Sequence, residues 1–260
     1  MRLKDKTAIV TGGGGGIGRG IIRAFAREGA RVCVMDITEE VARRGAAEGG
    51  KDAFALGVDV TKEADVARAV KAAIERLGRV DILVNCHGRP SRLMANPIDR
   101  LTLEEWNEVF AVNTAGVFLM CRALAPHMRE RRYGKIINIA SLAARRANEN
   151  VPHYCAAKAA TMSLTMSLAK EMAKHGVNVN AINPGMLWTE FWEKGHGVII
   201  GLDTDKAPRE VFDAFVKAAV PFGREQTPDD VGDMAVFLAS DESRNVTGQG
   251  LQVDGGAWMV

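Results

Sequence analysis

Residues 7–18 read Thr7-Ala8-Ile9-Val10-Thr11-Gly12-Gly13-Gly14-Gly15-Gly16-Ile17-Gly18, a short apolar β-type run that passes through glycines straight into a helical pattern over Ile17–Glu28. Glycines let a backbone turn tightly and approach a pyrophosphate, whose charge then rests on helix N–H groups and the positive end of the helix dipole. The bare expression G-x-G-x-x-G fits such a run in more than one register, for example at Gly13, Gly15 and Gly18, so its position between strand and helix carries more weight than its spelling. A merely flexible turn is the alternative.

Outward from this stretch, short β-branched runs alternate with longer helical patterns. Strands are expected at Thr7–Val10, Arg31–Met35, Ala53–Val58, Ile82–Val84, Lys135–Ala140, Asn178–Ile182 and Gly250–Val253. Helices are expected near Ile17–Glu28, Glu39–Glu48, Lys62–Leu77, Leu103–Arg131, Val151–His175 and Pro228–Ala239. That alternation predicts βαβ units, hence an α/β fold with a seven-stranded parallel sheet covered by helices on both faces. Met186 to Ala207 has no clear period, and loops of such length in compact domains serve as lids or binding loops.

With 260 residues and 47% hydrophobic content, the chain can bury a full core as one domain, residues 1–260. Its 34 basic and 32 acidic residues nearly cancel, which argues against nucleic acid or an anionic membrane as partner. No apolar stretch of transmembrane length and no apolar leader segment is visible, so no membrane span is expected. Cys33, Cys86, Cys121 and Cys155 are isolated from one another, which points to buried free thiols in a reducing cytoplasm and to no metal site.

Three further places carry chemistry. Asp36 ends the second strand eighteen residues after Gly18, where a carboxylate can accept both hydroxyls of an adenosine ribose and repel a 2′-phosphate. Ile37 follows, and the glycine run holds no arginine or lysine, so NAD is preferred over NADP; capping of the next helix is the alternative. Asp59, before Val60, is placed either to meet an adenine amino group or to cap a helix. In the stretch 138–158, Tyr154 and Lys158 stand four apart on one helical face, and Ser141 ends a strand at the carboxyl edge where open α/β sheets bind ligands. An adjacent ammonium favours phenolate, which would let Tyr154 exchange protons nearer neutrality. Packing for the tyrosine, solvation for the lysine and helix capping for the serine remain the plain alternative.

Taken together these motifs resemble the short-chain dehydrogenase/reductase family, essentially end to end. The signature T-G-x-x-x-G-[hydrophobic]-G falls on Thr11, Gly12, Gly16, Ile17 and Gly18; the active-site set falls on Asn113, Ser141, Tyr154 and Lys158; P-G-x-x-x-T falls on Pro184, Gly185 and Thr189; and Val253-Asp254-Gly255-Gly256 matches the last strand and turn. The resemblance implies a single Rossmann-fold domain, doubly wound, and metal-free hydride transfer between an alcohol or carbonyl and NAD(P). Tyr154 would act as general acid/base, Ser141 would hold the substrate oxygen, Lys158 would hold the nicotinamide ribose and lower the tyrosine pKa, and Asn113 would fix a water reaching Lys158. Asp59, Val60, Asn85 and Gly88 would join Tyr154, Lys158 and the residues above around the cofactor, with Thr189 at the carboxamide or a phosphate. It also implies a homotetramer built on the helices of Asn113 and Tyr154.

One departure stands out. Where the family has N-N-A-G, this chain has Asn85-Cys86-His87-Gly88, and His87 would contact ribose, face substrate or pack. Substrate contacts are expected from His87, Arg145, Asn148, His153, Trp188 and Trp192, with a lid over about 186–220. A polar set under an aromatic lid favours a small-molecule polyol, sugar or hydroxy acid. Reduction of a 3-oxoacyl thioester or another carbonyl is the enzymatic alternative, and an NAD-binding sensor or assembly subunit the non-enzymatic one.

Overall fold

In the computed structural model, residues 1–90, 98–193 and 206–259 are described, the side chain of Phe191 excepted. The strands are β1 (Thr7–Thr11), β2 (Arg31–Asp36), β3 (Phe54–Gly57), β4 (Ile82–Asn85), β5 (Gly134–Ile139), β6 (Val177–Pro184) and β7 (Gly250–Val253). The helices are α1 (Gly16–Arg27), α2 (Glu39–Ala46), α3 (Glu63–Leu77), α4 (Leu103–Phe110), α5 (Gly116–Arg131), α6 (Pro152–Met172), α7 (Glu190–Glu193), α8 (Pro208–Ala219) and α9 (Pro228–Ala239). The strands form one parallel sheet in the order β3-β2-β1-β4-β5-β6-β7, as the alternating pattern predicts.

Sheets of this kind are covered on both faces, so their strands read as continuous apolar runs rather than alternating ones. All five residues of β1 are buried, with Ile9 in the core under α3, α5 and α6 and with Ala8 and Val10 in the core under α1 and α9. Two glycines let α1 and α9 cross closely: a Cβ on Gly20 would lie 2.5 Å from the Pro228 carbonyl oxygen, and one on Gly232 2.8 Å from that of Gly20.

Three expectations are corrected. The segment after β6 contains α8, whose Val211, Phe212, Phe215 and Val216 recur at helical spacing behind Pro208 in the first turn. Residues 103–131 are one continuous helical run that holds an 18-residue window of mean hydropathy 1.5, long and apolar enough to cross a membrane by composition. Yet Val109, Val117, Met120, Leu124 and Met128 are buried on the sheet, which accounts for that hydropathy as core. The cysteines are free, but Cys86 and Cys155 are only half-buried.

Candidate active site

The chain leaves β1 and β4 in opposite directions along the sheet, and such a switch point opens a crevice at the carboxyl ends of the strands. The glycine run lies there. Gly12 has φ 63°, and a Cβ on it would stand 2.6 Å from the His87 backbone; a Cβ on Gly18 would stand 2.3 Å from the Gly12 carbonyl oxygen. Each side chain would force the loop open. No side chain caps α1, and no acidic residue occupies its first turn, whereas threonines cap α2, α4 and α9. The uncapped end keeps its N–H groups and dipole for an anion, which fits the pyrophosphate of a dinucleotide. Asp36 braces this loop, accepting from the Gly14 N–H at 2.9 Å and from the Ile37 N–H at 2.8 Å.

Other expected cofactor residues are placed differently from one another. Asp59 Oδ1 accepts from the Thr61 N–H and hydroxyl at 3.0 and 2.6 Å, bonds that close a local turn and hold its carboxyl below the usual range. Val60 is buried beside Gly116. Asn85 donates to Asn138 Oδ1 at 2.8 Å, and Asn138 donates in turn to Thr165 at 2.9 Å, a buried ladder from β4 through β5 to α6. The Asn85 Oδ1 makes no hydrogen bond among the described residues.

At the strand ends a cavity of about 550 Å³ is lined by Ser141, Tyr154 and Lys158 together with Ile17, Gly88, Pro184, Gly185 and Thr189. Two separate elements supply the trio: Ser141 follows β5, while the first two turns of α6 carry Tyr154 and Lys158. The Ser141 hydroxyl lies near enough to Tyr154 to oppose the rise of its pKa, and the Ser141 oxygen accepts from the Ala143 N–H at 3.1 Å. Lys158 is buried, donates to the Ile139 carbonyl at 2.9 Å, and places its ammonium 5.8 Å from the centre of the Tyr154 ring. Burial pushes the lysine down to about 8 and the tyrosine up to about 12. The lowered tyrosine pKa expected from lysine proximity is therefore not found in the protein alone, because desolvation outweighs an ammonium that is bonded to a carbonyl instead.

Asn113 sits in a π-helical turn, Ala111–Ala115, that joins α4 to α5; such turns inside helices recur at functional sites. Its buried amide donates to the Arg89 carbonyl at 2.8 Å and to that of Val109 at 3.0 Å, and accepts from the Arg89 N–H at 3.2 Å. The side chain thus grips the loop after β4 and holds Gly88 close, where an added Cβ would lie 3.1 Å from Asn113 Oδ1 and 3.5 Å from the Lys158 ammonium.

Comparison with known proteins agrees with this geometry. A family model described as enoyl-(acyl carrier protein) reductase matches residues 12–257. Sorbitol dehydrogenase of Cereibacter sphaeroides is 44% identical over 260 residues, covering both chains completely. Galactitol 2-dehydrogenase of Agrobacterium fabrum is 43% identical over 260 residues, again with full coverage of both. The crystal structure of a levodione reductase superposes with a TM-score of 0.92 at 31% identity, covering 98% of each chain. The chain belongs to the short-chain dehydrogenase/reductase family. It is therefore an oxidoreductase of CH–OH groups that uses a nicotinamide dinucleotide, and the non-enzymatic alternative falls away.

Within this short-chain dehydrogenase/reductase the residues expected at the substrate divide. Asn148 and Trp192 line the cavity, joined by Arg89, Arg146, Glu149 and Asn150. Arg145 does not line it; its neighbour Arg146 does, with the guanidinium 5.9 Å from the ring of Trp258, so the apolar chain end returns to this loop. His87 is buried with Nδ1 2.6 Å from the Thr11 hydroxyl, and burial pushes its pKa down to about 3, so it packs beneath the glycine loop as a neutral ring. His153 is buried behind Tyr154 with Nε2 3.9 Å from Glu105 Oε1. Trp188 packs edge-on against Phe212 at 5.2 Å and under Arg209 at 5.0 Å. His87, His153 and Trp188 obey packing that spacing in the chain does not reveal, while Arg145 is exposed. Part of the expected lid, residues 194–205, lies outside the described residues.

Proposed function

We propose that this enzyme is an NAD-dependent dehydrogenase that oxidises a secondary hydroxyl of a polyol or sugar. One observation carries the reading: Ser141, Tyr154 and Lys158 share a cavity with a polar rim of Arg146, Asn148, Glu149 and Asn150. Hydroxyl-rich substrates need donors and acceptors along their length, and an acyl chain or steroid would leave these groups unpaired. Relatives named for sorbitol, galactitol and D-threitol, the last from Mycolicibacterium smegmatis at 40% identity, support it. Asp36 supports NAD, since its carboxylate stands beside Gly14 where a 2′-phosphate would be repelled.

A bound nicotinamide dinucleotide supplies the hydride acceptor. The α1 N-terminus, Gly12, Gly16, Ile17 and Gly18 would take its pyrophosphate, and Asp36 its ribose. Gly88, Pro184, Gly185, Thr189 and Lys158 would hold the nicotinamide half, and the cation of the oxidised ring strengthens the case for a phenolate beside it. Tyr154 removes the hydroxyl proton, Ser141 donates to the substrate oxygen as charge builds there, and Lys158 steadies the ribose. Asn113 keeps the loop after β4 against Lys158. Residues 1–260 act as one domain, with 186–220 as the lid and Trp192 facing substrate. Exposed Phe118 on α5 and Met166 on α6 support assembly through those helices as a homotetramer, and the free cysteines support a reducing cytoplasm.

A panel of polyols, sugars, sterols and 3-oxoacyl thioesters tested with NAD and NADP decides the matter. Polyol turnover with NAD is expected. Turnover of thioesters with NADPH alone would reverse both substrate class and cofactor. Sedimentation is expected to give four chains per particle, and a monomer at micromolar concentration would remove the tetramer.

A further inference from the structure

Thr114 and Thr161 do not line the cavity, yet each hydrogen-bonds backbone at or beside one of the site's residues. Thr114 follows Asn113 in the π-helical turn, and its hydroxyl donates at 3.1 Å to the carbonyl of Ala157, the residue before Lys158. Thr161, three residues after Lys158 on α6, is fully buried, and its hydroxyl donates to the Asn113 carbonyl at 2.9 Å. The two bonds run in opposite directions between the same pair of elements. Thr161 also stands 3.0 Å from the Ala157 carbonyl, the back-bond that a threonine makes within its own helix. Ala157 has Thr114 as a donor already, so Thr161 is free to reach across to Asn113 with its one proton. The π-helical turn gains from that donor, because its N–H groups reach back five residues instead of four, as from Gly116 to the Ala111 carbonyl. Side chains bond the backbone around it: Asn113 donates to the Val109 carbonyl and Thr161 to that of Asn113.

We infer that Thr114 and Thr161 are positioning residues, a reciprocal clamp that sets the π-helical turn of Asn113 against the α6 backbone at Lys158. Hydroxyl-to-carbonyl bonds out of water fix the separation and register of two helices, because a slip would strand polar groups without partners. The register matters at Gly88, on which the Asn113 amide and the Lys158 ammonium both close. Asn113 grips the Arg89 peptide from both sides, so a shift of the π-helical turn along α6 would carry the loop after β4 away from the ammonium. Threonine has poor helix propensity, and neither position gains from it as local helix former; the gain lies in the cross-bond. This rests on Asn113 and Lys158 belonging to the catalytic machinery.

The test uses the full-length enzyme with NAD and its best alcohol substrate, comparing Thr161→Val, Thr161→Ser, Thr114→Val and Lys158→Met. Valine keeps the shape of threonine without its hydroxyl, and serine keeps the hydroxyl. At a temperature where circular dichroism shows each variant folded, kcat should fall about fivefold in each valine variant with the alcohol KM within about twofold. Thr161→Ser should retain the kcat of the parent enzyme within about twofold. Unchanged kcat in either folded valine variant overturns the clamp, and so does a loss confined to KM. An equal loss in Thr161→Ser assigns the effect to packing rather than to the hydroxyl and overturns it too. Thr114→Val, at a half-buried position, carries the prediction alone should Thr161→Val fail to fold. Lys158→Met separates the two readings: turnover retained there defeats the catalytic assignment, whereas turnover lost there with an unaffected Thr161→Val defeats only the clamp.

Discussion

Lys158 shows what a functional residue costs its fold. Burial lowers its pKa from the ordinary 10.5 to about 8, so between those values the folded chain binds fewer protons than the unfolded one. Stability from this group therefore rises with pH across that window and is lowest below pH 8, where keeping the charge buried costs about 3 kcal/mol. Below pH 10 Tyr154 stays protonated in both states and adds no slope. Lys158→Met should abolish turnover yet raise stability at pH 7 by roughly 1–2 kcal/mol, the lost bond to the Ile139 carbonyl offsetting part of the gain. Thermal melts at pH 7 and 10 check it: the gain should shrink at the higher pH, and a lower melting temperature at pH 7 would sink the argument. The tyrosine sets a second pH dependence. Because burial raises its pKa to about 12, the deprotonated form needed for oxidation grows throughout the alkaline range. Alcohol oxidation should climb from pH 7 to 10 and carbonyl reduction should not; a flat oxidation profile would show that proton removal lies elsewhere.

Helix α1 starts at the glycine run without a side-chain cap. Threonines cap α2, α4 and α9, with a reciprocal capping box at Thr227 and Asp230, while Gly15 leaves α1 uncapped. Gly15 has φ −78° and ψ 167°, ordinary extended backbone for an N-cap, and a Cβ there meets nothing closer than 3.5 Å. Gly15→Asp should therefore cap the helix, stabilising the fold by roughly 0.5–1 kcal/mol. The same carboxylate occupies and repels the anion site, so NADH should bind at least about tenfold more weakly. Calorimetry and NADH fluorescence titration read the two effects, and unchanged NADH affinity would remove the pyrophosphate from this helix end.

Over the whole molecule, the carboxyl end of β6 and the aromatic cluster of the segment after it frame the cavity. Phe212 of α8 is fully buried against Trp188 and Trp192, with ring centres 5.2 and 5.0 Å away. Trp192 lines the cavity, so this small separate core reaches the cavity wall. Phe212→Ala should destabilise it by about 3 kcal/mol. Substrate KM should rise several-fold with little change in NADH affinity, measured by steady-state kinetics and titration; a rise in NADH dissociation alone would assign the cluster to the cofactor instead.

The seven strands, the glycine loop and the spacing of Ser141, Tyr154 and Lys158 were legible in the chain itself, because period and spacing are local properties that parallel pairing preserves. Helix α8 carried a local signal too, Pro208 followed by apolar residues at helical intervals, though the aperiodic stretch before it obscured where order resumed. Which way a side chain turned was another matter. His87, Asn85 and Trp188 stand near the expected places in the chain, but each is held by a partner distant in sequence: Thr11, Asn138 and Phe212. The direction of the tyrosine pKa depended on packing as well, since desolvation is a property of the assembled interior while proximity to a lysine can be read from spacing. Sequence by itself determined the fold and the spacing of the candidate reacting groups; tertiary structure decided which neighbours face the cavity, and what burial does to their charge.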